Sequence, residues 1–322
     1  MMFSEPWITS GDFIEIAIKL RQRGLPFLLS KFSLNPEDRT KSAFQPEFEH
    51  ANWWIIPDIQ KRLNFLATGN PNQNYEAYLT EKYFQNKKGV LISPGCGVGG
   101  HERKIALANP TLQVTGFDLT PDLIKQALNE AAQLGIPNLH FETASIYTKR
   151  YQPNSIDYFL FHASLHHFDN IESLLLNTLL PALKPGGLII IHEYTGPDRM
   201  LFPKHQIQAA ERALKTLPKE LRIILNTAWE KRKIYEHGKL RMLISDPSEC
   251  VQSSAIRPLL HKHLNVLEEK YLGGNILMPV LKHIAHHFVL HDTDHLENLI
   301  RLEDEYLKNY PSDFTFGVYK KL

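Results

Sequence analysis

The sequence holds only two cysteines, Cys96 and Cys250, too few for a disulfide framework or a cysteine-based metal cluster. Such sparing use fits a reducing compartment. Neither sign of charge is in excess: 36 basic residues stand against 35 acidic ones, a formal net charge of +1. No overall field therefore selects for nucleic acid or an anionic membrane, and the longest basic run, Lys231-Arg232-Lys233, is short enough to be the solvated face of a helix. No stretch reaches the roughly 20 apolar residues that span a bilayer. Met1-Met2-Phe3-Ser4-Glu5-Pro6 lacks the basic flank and apolar core of a secretory leader, so a cytoplasmic protein with no integral membrane segment is expected. Internal repeats and low-complexity tracts are also missing. What remains, 43% apolar and 22% charged residues over 322 positions, suits one α/β core with helical accessory segments.

The stretch that organises the chain is Val90-Leu91-Ile92-Ser93-Pro94-Gly95-Cys96-Gly97-Val98-Gly99-Gly100. An apolar, strand-like run ends in a glycine loop and passes into a helical pattern from His101 to Ala108. Glycines suit such a place because the chain turns sharply and a ligand can approach bare backbone. The spacing Gly95-x-Gly97-x-x-Gly100 also satisfies a dinucleotide-binding fingerprint, with Asp118 following a second apolar run, Leu112 to Phe117. A nucleotide-like cofactor is the first expectation, and a nicotinamide-dependent oxidoreductase one reading of it.

Before this strand, helical periodicity runs from Asp12 to Leu29 with a break near Gly24-Leu25-Pro26, and returns at Ile56 to Leu66 and Tyr75 to Phe84. Residues 34–50 read as a loop packed by Phe44 and Phe48, and Trp53-Trp54 as core or as the wall of a pocket. After it, Thr120 is placed to cap a helix with Pro121 in its first turn and Gly135 beyond its end. Leu139 to Phe141 and Ile156 to Phe161 are strand candidates, Ile171 to Leu183 a helix, and Leu188 to His192 a fifth strand. This alternation predicts a parallel sheet covered by helices on both faces. Helices are expected at 203–217, 218–236, from a cap at Asp246, and over 276–310, with strands at 266–271 and 314–319. The resulting organisation is an N-terminal helical segment or lid at 1–85, a nucleotide-binding core at 86–195, a helical insertion at 196–258, and a C-terminal completion of the core at 259–322 with inserted helices at 275–310.

Four features stand in one order: the Gly-Cys-Gly-Val-Gly loop, the acidic strand end Gly116-Phe117-Asp118-Leu119, the stretch from Ile156-Asp157-Tyr158 to Ser164-Leu165-His166-His167-Phe168, and Leu183-Lys184-Pro185-Gly186-Gly187 before the fifth strand. Together they resemble the class I S-adenosylmethionine-dependent methyltransferases over about residues 88–195. The resemblance implies a doubly wound, mostly parallel, seven-stranded Rossmann-like sheet closed by an antiparallel hairpin, and S-adenosylmethionine (SAM) as cofactor. It places Ser93, Gly95, Cys96, Gly97, Gly99, Asp118, Leu119, Ser145, Ile146, His162 and Ala163 at the cofactor. Asp118 would accept hydrogen bonds from the ribose hydroxyls, and Leu119 would lie against adenine. Two positions depart from the family's pattern. Its usual acid two residues before the first loop glycine, which meets the methionine amino group, is Ser93 here, and its aspartate near adenine aligns with Ser145. Both keep hydrogen bonding and lose charge pairing, with Glu102 available to supply the charge.

Methyl transfer from a sulfonium is an in-line displacement that needs alignment and, where the acceptor carries one, removal of a proton. Candidates lie where ligands bind in open α/β sheets, at the carboxyl ends of the fourth and fifth strands: His162, His166 and His167, then His192, Glu193 and Tyr194. His166, Glu193 and Tyr194 are the catalytic candidates, with a structural role for His166-His167 as the competing reading. His283, His287, His291 and His295 recur every fourth residue beside His286, but such a spacing drifts about 40° per step around a helix, so a polar face is expected and no metal. The expected activity is methylation of a small-molecule acceptor, foremost at a hydroxyl oxygen of a natural product, glycan or lipid intermediate. N- or C-methylation, or a non-catalytic SAM-binding module, are its alternatives, and nucleic acid is not an expected partner.

Overall fold

A computed structural model of the chain describes residues 7–30, 52–236, 238–240, 246–290 and 293–322. The expected aromatic loop at 34–50 and His291 lie outside them. In chain order the principal elements are α1 (Ser10–Ser30), α2 (Pro57–Thr68), α3 (Tyr75–Leu79), β1 (Gly89–Pro94), α4 (Gly100–Ala108), β2 (Leu112–Asp118), α5 (Pro121–Leu134), β3 (Leu139–Thr143), β4 (Ile156–His162), α6 (Ile171–Leu174), β5 (Leu183–Tyr194), α7 (Lys204–Lys215), α8 (Ile256–His263), β6 (Asn265–Gly273), α9 (Leu277–Leu281), α10 (Thr293–Leu307) and β7 (Phe314–Lys320). They divide into two compact units: residues 1–62, 196–251 and 273–313 in the first, and 63–195, 252–272 and 314–322 in the second.

The second unit carries a seven-stranded sheet in the order β3-β2-β1-β4-β5-β7-β6. β1 to β5 pair in parallel, and β7 runs antiparallel to β5 from Leu188↔Lys320 to Tyr194↔Phe314. Phe159, Leu160 and Phe161 on β4 and Ile189, Ile190 and Ile191 on β5 are completely buried, so both faces of the sheet centre are covered, which is why these strands read as unbroken apolar runs. α4 and α5 pack against β2 and β3. α5 begins at Pro121 and ends at Gly135 in the left-handed region, as the sequence predicts. The Thr120 hydroxyl makes no capping bond; its backbone N–H instead donates to Asp118 Oδ1 at 2.8 Å. The seven-stranded, mostly parallel Rossmann-like sheet is the expected one.

Strand β5 is longer than predicted. Its pairing begins at Ile156↔Leu183, and an irregularity between Ile156 and Tyr158 absorbs the Lys184-Pro185-Gly186-Gly187 segment as a bulge does. At its other end it runs through Glu193 and Tyr194, so both lie inside the strand and not past it.

In the first unit α7, α9 and α10 pack on one another. The five-residue α9 is held at both ends by buried ionisable side chains. Glu303 on α10 accepts the Ile276 and Leu277 N–H groups at 2.9 Å each, and Lys231 donates to the Pro279, Val280 and Lys282 carbonyls. An acceptor at the N-terminus and a donor at the C-terminus satisfy the unpaired backbone groups of a helix. Burial pushes Lys231 down to about 7.

Four helical expectations change. α1 continues through Gly24-Leu25-Pro26; a proline removes one helical hydrogen bond and need not end a helix. Residues 218–236 form a short 3-10 turn, Lys219–Arg222, and a bridge between Ile223 and Glu230, with Asn226 at φ 58° reversing the chain. Asp246 takes the Ser248 N–H and hydroxyl at 3.0 and 2.6 Å, an Asx turn that competes with helix initiation, and the helix starts only at Ile256. The 276–310 region is interrupted at His283, whose φ is 72°, into α9, a 3-10 turn at Ala285–Phe288 and α10.

Candidate functional site

All of the cofactor and catalytic candidates named from the sequence lie in the second unit. β1 delivers Ser93 and Pro94 to its carboxyl end, where Gly95, Gly97 and Gly99 take φ values of 72°, 54° and 71°. The loop is tied to β2 by the Gly95 and Cys96 N–H groups, which donate to the Phe117 carbonyl at 2.7 and 3.1 Å. A Cβ at Gly95 would come within 2.7 Å of Ser164 Cβ, and one at Gly99 would enter the Phe141 ring, whereas one at Gly97 would meet nothing within 4 Å. Two of the glycines are therefore required by packing, and Gly97 presents open backbone. Burial pushes the Cys96 thiol pKa far up, so it is no nucleophile.

Asp118 ends β2 with both oxygens in use as loop anchors: Oδ2 accepts from the Gly97 N–H at 3.1 Å and Oδ1 from the Thr120 N–H. The Ala144 N–H donates to the Asp118 carbonyl at 3.0 Å, which brings the turn after β3 alongside. There the Ser145 hydroxyl oxygen accepts from the Tyr147 N–H, Ile146 is buried and Leu119 half-buried. Ser93 donates its hydroxyl to Glu102 Oε1 at 2.5 Å.

At the end of β4 the chain turns through Ala163, at φ 47°, with its N–H on the His192 carbonyl at 2.9 Å. Glu193 anchors the turn beyond: Oε1 accepts from the Ser164 and Leu165 N–H groups at 2.6 and 2.7 Å, and Oε2 meets His166 Nδ1 at 2.6 Å. Glu193 is completely buried. Tyr194, also buried, sets its ring against the edges of His166 and Phe314, with centroids 6.3 and 5.3 Å away.

Beside these lies a cluster that periodicity did not reveal. Tyr75 from α3 stacks on His162 and tilts against His192 and His101, with centroids 5.4, 5.0 and 5.6 Å away. His162 stacks on His101 at 3.6 Å and on His192 at 4.8 Å. Burial, then the neighbouring His101, drives His162 well below the ordinary imidazole value and His192 down to about 4, so both rings are neutral at pH 7. Burial and the Glu76, Glu102 and Glu193 charges push the Tyr75 phenol well up. The Tyr75 hydroxyl and His162 Nδ1 are buried atoms with no hydrogen-bond partner among the described residues. Beneath them Glu76 binds His101 and Lys104 at 2.8 and 2.9 Å; burial would raise its carboxyl, but these bonds hold it at about 2. In the sequence Tyr75 is one apolar position of an amphipathic segment, so nothing marked it. His101, directly after the glycine loop, was open to notice.

Two histidines of the series in the other unit have protein partners. His283 Nε2 lies 3.0 Å from Glu15 Oε1, and His287 Nε2 lies 2.8 Å from the Ile223 carbonyl.

Residues 85–267 match the family described as a methyltransferase domain. Among curated proteins, the chain is 26% identical over 94 residues to the tRNA (guanine-N(7)-)-methyltransferase of Clostridium tetani, 29% of this chain and 43% of that protein. It is 31% identical over 104 residues to the 23S rRNA (uracil(747)-C(5))-methyltransferase of Salmonella paratyphi A, 32% of this chain and 26% of that protein. The chain thus spans less than half the length of these relatives. Among solved structures, Haemonchus contortus phosphoethanolamine N-methyltransferase 2 with bound S-adenosyl-L-methionine aligns over 82% of this chain and 56% of its own, with a TM-score of 0.48 at 16% identity. With more than half of its length matched to the domain, and the glycine loop, acidic strand end and 3-2-1-4-5-7-6 sheet in place, the chain belongs to the class I S-adenosylmethionine-dependent methyltransferases.

Proposed function

We propose that the protein transfers the methyl group of SAM to a hydroxyl oxygen of a small organic acceptor. The observation that carries the reading is the Tyr75, His101, His162 and His192 cluster at the carboxyl ends of β4 and β5, with its two unpartnered polar atoms. The residues around it suit the cofactor: unblocked backbone at Gly97, a carboxylate at Asp118, and a buried carboxylate oxygen without a partner at Glu102. Gly95, Cys96, Gly97 and Gly99 with Ser93 would hold the methionine portion, Asp118 the ribose, and Leu119, Ser145 and Ile146 the adenine, with His162 and Ala163 bordering the sulfur. When bound, SAM supplies an electrophilic methyl on a sulfonium.

The chain's own part is to orient the acceptor and take its proton. A neutral imidazole at His162, with Nδ1 unpartnered, can accept the proton that a hydroxyl loses as its oxygen is methylated. The Tyr75 hydroxyl can donate a hydrogen bond to the same oxygen beforehand. His166, Glu193 and Tyr194 serve by fixing the turn that carries His162 and Ala163. A small acceptor is favoured by the aromatic character of this cluster and by the balanced charge of the chain.

The test begins with calorimetric titration of S-adenosylhomocysteine, with NADH as control and Asp118→Ala as the site variant. Saturable binding that weakens at least tenfold in the variant, about 1.4 kcal/mol, is expected. S-adenosylhomocysteine production from SAM is then followed over hydroxylated small molecules, amines and bulk RNA. Turnover with RNA alone, or binding of NADH alone, overturns the reading.

A further inference from the structure

Glu102 lies in the first turn of α4, directly after the glycine loop, and is 1% exposed. Its Oε1 is held by Ser93, while its Oε2 is buried with no hydrogen-bond partner among the described residues. The basic side chains nearest to it along the helix are engaged elsewhere. Arg103 donates to the Val98 carbonyl and pairs with Glu130; His101 and Lys104 pair with Glu76. A buried carboxylate oxygen left in this state is costly, and it is relieved by a proton or by a cation brought from outside. The cofactor of this family carries such a cation on its amino-acid tail.

We propose that Glu102, oriented by the Ser93 hydroxyl, is the counterion for the α-ammonium of bound SAM. This rests on the cofactor reading above and deepens it. The glycine loop that precedes α4 is the only chain between Ser93 and Glu102, so the carboxylate is fixed to the same loop that offers open backbone at Gly97. The pair divides between two residues a task one acid could perform: Ser93 fixes one oxygen and the other is left for the ligand.

A consequence is proton release. Without ligand, burial raises the Glu102 pKa against the lowering effects of His101, the Ser93 hydroxyl and Arg103. The groups facing it are His101 and Arg103 on its own helix, Ser93 on β1, Cys96 in the loop and Tyr75 from α3. A cation at Oε2 stabilises the ionised form, so the carboxyl proton leaves as the ammonium arrives. This release occurs between the lowered pKa of the complex and the raised pKa of the free protein, and vanishes outside that window.

The experiment uses two probes, S-adenosylhomocysteine and its deaminated analogue in which hydrogen replaces the amino group. Each is titrated calorimetrically into the full chain and into Glu102→Gln, in buffers of different ionisation enthalpy across pH 5 to 8. The intact protein should prefer the amino-bearing probe, and Glu102→Gln should bind it at least tenfold more weakly while its affinity for the deaminated probe changes less than threefold. Equal losses on both probes, or no loss on either, overturn the assignment. A second measurement needs no variant: the intact protein should release a proton with S-adenosylhomocysteine and not with the deaminated probe, and equal release with both, or none at any pH, overturns it too. Failure of the intact protein to bind either probe would instead refute the cofactor reading.

Discussion

Glu193 offers a sharp test of how the site is held together, because the two ways of removing its charge should differ. It accepts two backbone N–H groups on one oxygen and meets His166 Nδ1 with the other, all within 2.7 Å, and it is wholly inaccessible to solvent. Hydrogen bonds to a charged group contribute about 1.5–3 kcal/mol each. In Glu193→Gln the amide oxygen can still take both N–H groups, and the amide N–H can face His166 once the imidazole carries its proton on Nε2. The loss is then that of charge assistance alone, about 1–2 kcal/mol. Glu193→Ala also leaves two N–H groups and a ring nitrogen buried without an acceptor, for which a total near 3–5 kcal/mol is expected. Urea denaturation of the two variants against the parent chain, followed by fluorescence, measures the difference. Titration with S-adenosylhomocysteine should show the alanine variant weakened further, since the turn bearing His162 and Ala163 has lost its anchor. Equal destabilisation of the two variants, or less than about 1 kcal/mol in Glu193→Ala, would refute the view that this carboxylate holds the turn.

Gly99→Ala should destabilise the fold by about 2–4 kcal/mol, from left-handed strain plus overlap with the buried Phe141 ring, whereas Gly97→Ala, with nothing within 4 Å of its new methyl, should leave denaturation within roughly 1–2 kcal/mol of the parent and lower S-adenosylhomocysteine affinity instead. Asp313 is 3% exposed, and burial raises it to about 7 from 3.8, a rise that the hydrogen bond from Gln206 partly offsets. The folded state thus holds the proton more tightly than the unfolded one, and stability falls as pH rises from about 4 to 7. In urea titrations at pH 5 and 8, Asp313→Asn should gain about 3 kcal/mol relative to the parent on going to the higher pH.

The core was legible because its signals are local. The glycine loop, the acid closing β2 and the Pro121 to Gly135 helix are each written in one short stretch of sequence, and the buried runs of β4 and β5 have no polar interruption to confuse a period. The accessory segments failed for the opposite reason. Residues 218–236 have helical spacing, but Asn226 in the left-handed region and a long-range bridge decide their path; Asp246 binds its own Ser248 and so forms a turn where a cap was expected. Tyr75 was invisible as a site residue because an aromatic on an amphipathic segment has the same pattern whether it meets leucines or three imidazoles.

What the acids of the core do also explains why so few residues need to perform chemistry. Asp118 holds Gly97 and Thr120, Glu193 holds Ser164, Leu165 and His166, and Glu76 holds His101 and Lys104. Each fixes a loop or a ring at the carboxyl edge of the sheet before any ligand arrives, and in a displacement governed by alignment such preorganisation is the main contribution a protein can make. Glu102 breaks the pattern, since one of its oxygens has no partner among the described residues. His162 Nδ1 and the Tyr75 hydroxyl share that condition a few residues away in space. The unanswered polar atoms in this part of the sheet include the Ser164 hydroxyl as well, and the other three sort by partner: a carboxylate oxygen suited to a cofactor's ammonium, and two neutral atoms, His162 Nδ1 and the Tyr75 hydroxyl, suited to an acceptor's hydroxyl. Because the two kinds are chemically distinct, loss of Glu102 should be felt in cofactor binding, and loss of His162 in the step after it.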